Sequence, residues 1–488
     1  MAGLLLLVGT HDLLQKRHAI LRNFPIIGHL RYLLEKLGPE LRQYIVADND
    51  EERPFNRDQR RWVYATAKKE NPYFGFGTDN DVDLPGKVVI KHSAFPAQNN
   101  STEPFLPSAK VLGAWGNRQK AFRPNSIVNI SGMSFGSLSG RAIEALNKGS
   151  ILAGCLHNTG EGGISTHHRH GGELVYQIGT GLFGSRDSEG NFSMNALQAT
   201  IKESPVKAIE IKLSQGAKPG IGGVLPAKKV TAEIANTRGV PKGVMVKSPP
   251  KHTSFSDVEG LINFVEMIAT ETGLPVGIKA AVGQIDFWVD LANQMHVTRR
   301  GPDFISIDGA EGGTGAAPLV FSDSVAYPFR IGFAKVYDIF YRQGLHREIT
   351  FIGAGKLGYP DTALAAFALG CDMVNVGREA MLAIGCIQAQ RCHTGQCPTG
   401  VATQSPWLAR GLNPNDKSVR AANYVMGLRQ EIQRLCQAVG VGHPSLVPES
   451  AVEIIDSIGS TVSILEHYGL SSSQKRLEEH DINFLNTL

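Results

Sequence analysis

Three cysteines, Cys386, Cys392 and Cys397, fall within one short run of a chain that has only six. Thiolates are soft ligands, and sulfurs bunched this closely can close around one centre. The other three, Cys155, Cys371 and Cys436, stand singly in apolar surroundings and read as small core hydrophobes. A disulfide within the run is a poor rival. The chain is long, cysteine-poor and lacks a secretory signal, so it reads as intracellular and cytoplasmic, where disulfides are rare. Zinc is the stronger rival, because three thiolates and His393 would make a closed tetrahedral site. Against it, Cys392 and His393 are adjacent and point differently, and the C-x5-C-x4-C spacing lacks the paired C-x2-C pattern. An iron–sulfur cluster is the preferred reading, with zinc and no cofactor left open.

A second set of chemistry-bearing residues lies at the ends of β-rich runs. Gly132, Met133 and Ser134 follow the first, Glu161 the second, and Gln215 and Lys218 the third, which itself ends in Lys212. Lys279 closes the fifth, Gly312, Gly313, Thr314 and Gly315 follow the sixth, Gly353 and Gly355 lie at the seventh, and Gly377 and Arg378 at the eighth. Bare glycine turns let backbone N–H groups approach an anion, and after the last two strands of a barrel they form the usual phosphate site. Arg378 offers a charge-assisted contact there. The bound group then reads as a phosphorylated ring, and flavin mononucleotide (FMN) suits a neighbouring redox cluster. Lys279 would steady charge on the reduced ring, with a rim salt bridge the equal alternative. Lys218 and Arg238 offer cations to a dicarboxylate. Glu161 reads as a proton donor, an iminium stabiliser or a turn-capping carboxylate.

The elements that must hold these residues show a clear rhythm. Eight β-rich runs begin near residues 127, 154, 208, 243, 275, 303, 349 and 372, and helical stretches such as 141–148, 231–236, 257–272, 285–295, 332–343 and 361–369 lie between them. Eight strands alternating with helices predict an α/β fold, a closed (β/α)8 TIM barrel over residues 116–410. The longest gap, from His157 to Ala208, reads as a pocket-forming loop. Residues 1–115 read as a helical then irregular extension wrapping the barrel, with helical spacing after Gly28 and irregular chain from Pro85 to Pro107. Residues 411–488 form a helical tail, with helices over 418–439 and 451–458. Its Arg420, Arg429 and Arg434 read as a solvated face.

Composition sets the outer bounds. The 488 residues carry a net charge of +4 with 42% hydrophobic residues, too mild a balance to argue for nucleic acid. Leu4 to Val8 is far short of the ~20 apolar residues that span a bilayer. Membrane association is therefore expected only through the N-terminus.

Met133-Ser-Phe-Gly-Ser137, Asn158-Thr-Gly-Glu-Gly-Gly163, Gln215-Gly-Ala-Lys-Pro-Gly220, Ser248-Pro-Pro250, Gly312-Gly-Thr-Gly315 and the run from Cys392 to Gln404 occur in this order. Together they resemble the synthase (FMN-binding) domain of glutamate synthase over about residues 85–410, and the stand-alone FMN-binding glutamate synthase family proteins. The resemblance implies a barrel holding FMN, and a [3Fe–4S] cluster on Cys386, Cys392 and Cys397. It implies reduction of 2-iminoglutarate, formed from 2-oxoglutarate and ammonia, to L-glutamate, with Lys218 and Arg238 on the substrate carboxylates. Electrons would come from ferredoxin or an NAD(P)H-oxidising subunit. Val224 departs from the pattern, standing where the family has a glutamine of its 2-oxoglutarate site. The N-terminal amidotransferase domain and the C-terminal β-helix domain are not expected, so ammonia, another amine or a glutaminase partner would supply nitrogen. Two alternatives stay open: the same cofactors acting on another 2-oxo acid and amine, and an electron-transfer subunit of a larger assembly.

Overall fold

The protein is represented by a computed structural model that describes residues 2–73, 75–97, 106–470 and 476–488. The chain divides into two compact units, Met1–Trp62 and Val63–Leu488.

The first unit opens with three helices, α1 (Ala2–Leu14), α2 (Ala19–Asn23) and α3 (Gly28–Leu41). The buried Asp12 carboxylate ties them, accepting from the Ile26 N–H at 2.9 Å and meeting His29 Nε2 at 3.0 Å. Gln15 closes the turn between α1 and α2 by donating to the His18 carbonyl.

The second unit is a closed barrel of eight parallel strands. In chain order they are β1 (Val128–Ile130), β2 (His157–Asn158), β3 (Leu174–Ile178), β4 (Val206–Lys212), β5 (Val276–Ala280), β6 (Phe304–Asp308), β7 (Thr350–Ala354) and β8 (Met373–Val376). Residues of β3, β5, β6 and β7 are buried throughout, as strands covered on both faces must be. Helix ends follow local chemistry. Ser139 and Asp257 cap the Gly140–Ala153 and Val258–Thr272 helices, and Gly154 and Gly273 end them in the left-handed region.

The eightfold count is right, but one of its members is not the run the sequence suggested. Leu174–Ile178, inside the stretch read as a long loop, is a barrel strand; flanking glycines masked a short run buried on both faces. The run near 243–247 is no barrel strand: only Val246–Lys247 is extended, and it pairs antiparallel with Val224–Leu225. The long excursion is therefore the one between β4 and β5, and it carries Lys218, Val224 and Arg238.

The tail departs as well. The 414–439 helix forms, but Val452–Ile455 is a strand between Val88–Ile90 and Thr461–Ser463, not a helix. Part of the irregular stretch from Pro85 to Pro107 is thus sheet, and residues 98–105 lie outside the described residues. Arg429 is not solvated: it is buried and donates to the Ala153 carbonyl at 2.7 Å. The long helix crosses the Gly140–Ala153 helix closely, since a Cβ on Gly149 would fall 2.7 Å from that of Ala421.

Residues beneath the barrel close its N-terminal end. Leu112 and Phe122 pack with Leu156, Val175, Phe304, Ile352 and Met373. Lys110 donates to the carbonyls of His346 and Ile349 and to Asp372. Arg118 engages both Asp303 and Glu266.

Candidate active site

Strand register brings the chemistry to one level at the C-terminal mouth of the barrel. Lys212, the last residue of β4, lies opposite Lys279 of β5, which lies opposite Ser306 of β6. Side chains alternate along a strand, so cations at matched positions on adjacent strands share a face.

Glu161, in the turn after β2, meets Lys212 at 3.2 Å and Lys218 at 3.7 Å. Burial alone would raise its carboxyl, but Lys212, Lys218 and Arg238 overcome that and bring it down to about 2. It is therefore a carboxylate at neutral pH. Burial weakens the hold of Lys218 on its proton against the pull of Glu161, and it lowers Arg238 to about 10. Lys279 behaves oppositely: burial pulls it down, but Asp308, 3.6 Å away, and Glu210 carry it above the ordinary lysine range. The rim ion pair and a role beside a ring are thus compatible for this lysine.

Arg238 ends the Ala232–Arg238 helix and turns inward, donating to the Phe135 carbonyl at 3.0 Å and approaching Ser134 Oγ at 3.5 Å. Its Nε is buried without a hydrogen-bond partner among the described residues, as is His252 Nδ1. The other His252 nitrogen contacts the Lys212 carbonyl at 3.0 Å. Buried polar atoms are normally satisfied, so two orphans beside a cation cluster point to a missing polar ligand.

A deeper layer was not legible from the sequence. The fully buried Glu210 accepts from Asn158, Gln177 and Ser306 at 2.8, 2.6 and 2.8 Å. These residues sit on four different strands. Their only sequence signal is a polar residue interrupting an apolar strand, as Glu210 does between Ile209 and Ile211.

The glycine turns converge on the same mouth. A Cβ on Gly160 would fall 2.6 Å from the Ser134 N, joining the turns after β1 and β2. One on Gly355, whose φ is +135°, would meet the Gly309 backbone at 3.2 Å, and one on Gly313 would strike the Arg378 side chain. Gly132 closely faces Asn158 and Gln177, while Gly377 keeps only loose contact with Ser131 and Gly312 lies beside the Ala217 N–H. Met133 and Gly353 hold their places in the turn after β1 and within β7. Gln215 accepts from Lys212 at 2.6 Å. Arg378 is buried away from solvent enough that its charge is disfavoured, and it donates to the Glu311 carbonyl. Gly313, Thr314 and Gly315 are exposed. Bare backbone turns, a buried lysine and the two orphaned atoms fit a phosphorylated ring cofactor with an anionic substrate beside it.

The cysteines form a less complete set. Cys392 lies against the glycine turn after β6, its Cβ 3.1 Å from the position of a Cβ on Gly315. Lys229 donates to the Cys392 carbonyl at 2.8 Å and is electrostatically coupled to Cys392 and Cys397. Burial raises the Cys392 thiol. At Cys397 burial is outweighed by N–H groups of the Thr399 to Ala402 turn, and its thiol is lowered, as suits a thiolate ligand. The Cys386 sulfur accepts from the Gln388 N–H at 3.4 Å, and Tyr64 donates to its carbonyl at 2.7 Å. Among the described residues no three His, Cys, Asp or Glu side chains gather closely enough to hold a metal ion.

The profile for a conserved region in glutamate synthase matches residues 103–442. This chain belongs to the glutamate synthase family. It is 36% identical to the glutamate synthase large subunit-like protein YerD of Bacillus subtilis, with 92% of both chains covered. It is 37% identical to the archaeal-type glutamate synthase [NADPH] of Thermotoga neapolitana over 64% of this chain and 59% of that one. The archaeal glutamate synthase [NADPH] of Methanocaldococcus jannaschii gives the same 37% over 64% and 59%. The chain thus spans nearly all of the first relative but under two thirds of the other two. As a glutamate synthase family member it is an oxidoreductase acting on CH–NH2 donors. No helix among the described residues is long and apolar enough to cross a membrane.

Proposed function

We propose that this chain reduces 2-iminoglutarate, derived from 2-oxoglutarate and ammonia, to L-glutamate. The observation that carries the reading is the buried cluster of Glu161 with Lys212, Lys218 and Arg238, whose cations outnumber its carboxylate and leave Arg238 Nε unanswered. A dicarboxylate supplies the missing negative charge. FMN, when bound, supplies the hydride. Lys218 and Arg238 hold and orient the substrate carboxylates by charge-assisted hydrogen bonds. Glu161, being ionised, serves as the counter-charge of a protonated imine and not as its acid. Hydride addition to the carbon of that iminium completes the amine without a further proton. Lys279 is kept charged by Asp308 and Glu210 and offers fixed positive charge on the ring side of the mouth.

The test is a titration of the FMN-loaded, oxidised protein with a panel of 2-oxo acids, followed by the flavin spectrum. 2-Oxoglutarate should perturb it at the lowest concentration, and the reduced protein should form glutamate from 2-oxoglutarate and ammonia. A response to another oxo acid with none to 2-oxoglutarate would overturn the reading. Val224 favours that second reading, with a different oxo acid and amine on the same cofactors, because it places an apolar side chain beside Gly223, which abuts Glu161.

Cys386, Cys392 and Cys397 are proposed as iron–sulfur ligands on the strength of the motif and the thiolate-favouring turn at Cys397. Anaerobically prepared protein should contain iron and acid-labile sulfide, and Cys392→Ser should remove both. Zinc without sulfide would refute the assignment. A ferredoxin or an NAD(P)H-oxidising subunit as electron donor, and free ammonia or a glutaminase as nitrogen source, complete the proposal.

A further inference from the structure

Within the Met1–Trp62 unit, residues 2–46 are built inside out. Among residues 2–46 only Asp12, Leu21 and Gly28 are buried. The inside therefore holds a carboxylate, satisfied by the Ile26 N–H and by His29, while the outside holds every leucine but Leu21. Leu4, Leu5, Leu6 and Leu7 are 46–74% exposed. Four consecutive residues at 100° intervals cover the whole circumference of a helix, so this half of α1 has no sheltered face. On α3, by contrast, the exposed Leu30, Leu33, Leu34, Leu37 and Leu41 recur at helical spacing and form a single stripe.

Water penalises this arrangement, whereas a hydrocarbon medium favours it, since polar groups there must be satisfied internally. A protein groove would cover one face of a helix, not the full turn at Leu4 to Leu7. The charges agree with a particular medium: residues 2–46 contain six Lys or Arg against three carboxylates, one of them the buried Asp12. The 13 residues of α1 extend only ~20 Å, against ~30 Å of hydrocarbon in a bilayer, so α1 is too short to span.

We propose that residues 2–46 form a monotopic anchor for an anionic bilayer, with α1 immersed in the apolar layer and the α3 stripe lying along its surface beneath basic side chains. A helix with an apolar stripe and a cationic border takes this orientation, and anionic headgroups add attraction for each nearby lysine or arginine. The proposal stands apart from the reaction assigned to the barrel, and its test does not read activity.

Flotation of the full chain with phosphatidylcholine vesicles, with and without about one third phosphatidylglycerol, reads it directly. The wild-type chain should float with both, and about tenfold more tightly with the anionic vesicles. Leu4→Asp combined with Leu6→Asp should abolish flotation, and Leu33→Gln with Leu37→Gln should weaken it about tenfold. Both variants should keep the wild-type thermal unfolding of the barrel, which separates lost docking from lost folding. Three outcomes overturn the proposal: a wild-type chain that stays at the bottom of the gradient with both vesicles, flotation unaffected by the α1 substitutions, or self-association in vesicle-free solution that these substitutions abolish and vesicles do not displace.

Discussion

The two ends of the barrel use the same residue types to opposite effect. At the N-terminal end, Lys110 answers two carbonyls and Asp372, and Arg118 spreads its nitrogens over Asp303 and Glu266. Carboxylates there match or exceed cations, and the bonds tie residues 106–124 to strand entrances. At the C-terminal end three cations share Glu161, and buried atoms of Arg238 and His252 stay unanswered. Balanced charge holds a fold together, while surplus buried charge costs stability and is repaid when a ligand arrives. The contrast separates structure from function more sharply than residue type or burial alone.

The largest effect expected from that contrast is at Arg238. On the proposed reading, Arg238→Ala should lower kcat/KM for glutamate formation by about a thousandfold, the effect of losing a buried charge-assisted contact to substrate. Its urea unfolding midpoint should stay at or above the wild-type value, since an underpaired buried charge is removed. A parallel fall in stability and activity would erase the distinction between the two ends.

Lys110→Met is the mirror experiment. It leaves the Asp372 carboxylate buried and unpaired, so unfolding stability should drop by about 3–5 kcal/mol. Activity per folded molecule should be retained, because nothing at this end touches the mouth. The double variant Lys110→Met with Asp372→Leu should recover most of the stability, which a chemical denaturation series would show.

Glu161 sharpens the comparison through pH. Its folded-state carboxyl lies near 2, below the ordinary 4.5, so its ionised form stabilises the fold above that ordinary value. The contribution is lost as pH falls from about 4.5 toward 2. Glu161→Gln should therefore be less stable than wild type at pH 7, on the order of 1–3 kcal/mol, and the gap should close through that acid window. Urea unfolding of both proteins at several pH values measures it. A gap independent of pH would mean that Glu161 contributes packing and not charge.

Sequence pattern made the barrel legible because parallel strands and their helices have distinct periods, and the helix from Val258 to Thr272 fell where its Asp257 cap and Gly273 stop predict. The strand at Leu174–Ile178 was obscured because five residues between glycines carry no period that tells strand from loop. Val246–Lys247 had the opposite problem: β-branched residues mark an extended chain but not its partner. At the site, Lys218, Arg238 and Glu161 were visible as charges in the stretches that follow strands, and the fold brings them together. Glu210 was not, since its three partners come from three other strands and only the closed barrel assembles them. For the cysteines, spacing gave proximity along the chain, and the fold gathers Cys392 and Cys397 around Lys229.

The smallest expected effect tests whether the surplus charge at the mouth is tuned to one acid. Val224 lies on the short hairpin strand next to Gly223, whose Cβ position would be 2.9 Å from Glu161 Oε1. Val224 is itself half-exposed, so a longer polar side chain fits without repacking the core. Val224→Gln should lower the KM for 2-oxoglutarate about fivefold, the worth of one added hydrogen bond, with kcat little changed. On the proposed reading the cation cluster fixes both substrate carboxylates whatever lies between them, so the change should leave binding of a simple dicarboxylate almost untouched while shifting preference among 2-oxo acids. If Val224→Gln weakens 2-oxoglutarate and another oxo acid remains the best ligand, the apolar residue is part of a pocket shaped for that other acid. The C-terminal end would then owe its affinity to charge and its selectivity to this hairpin.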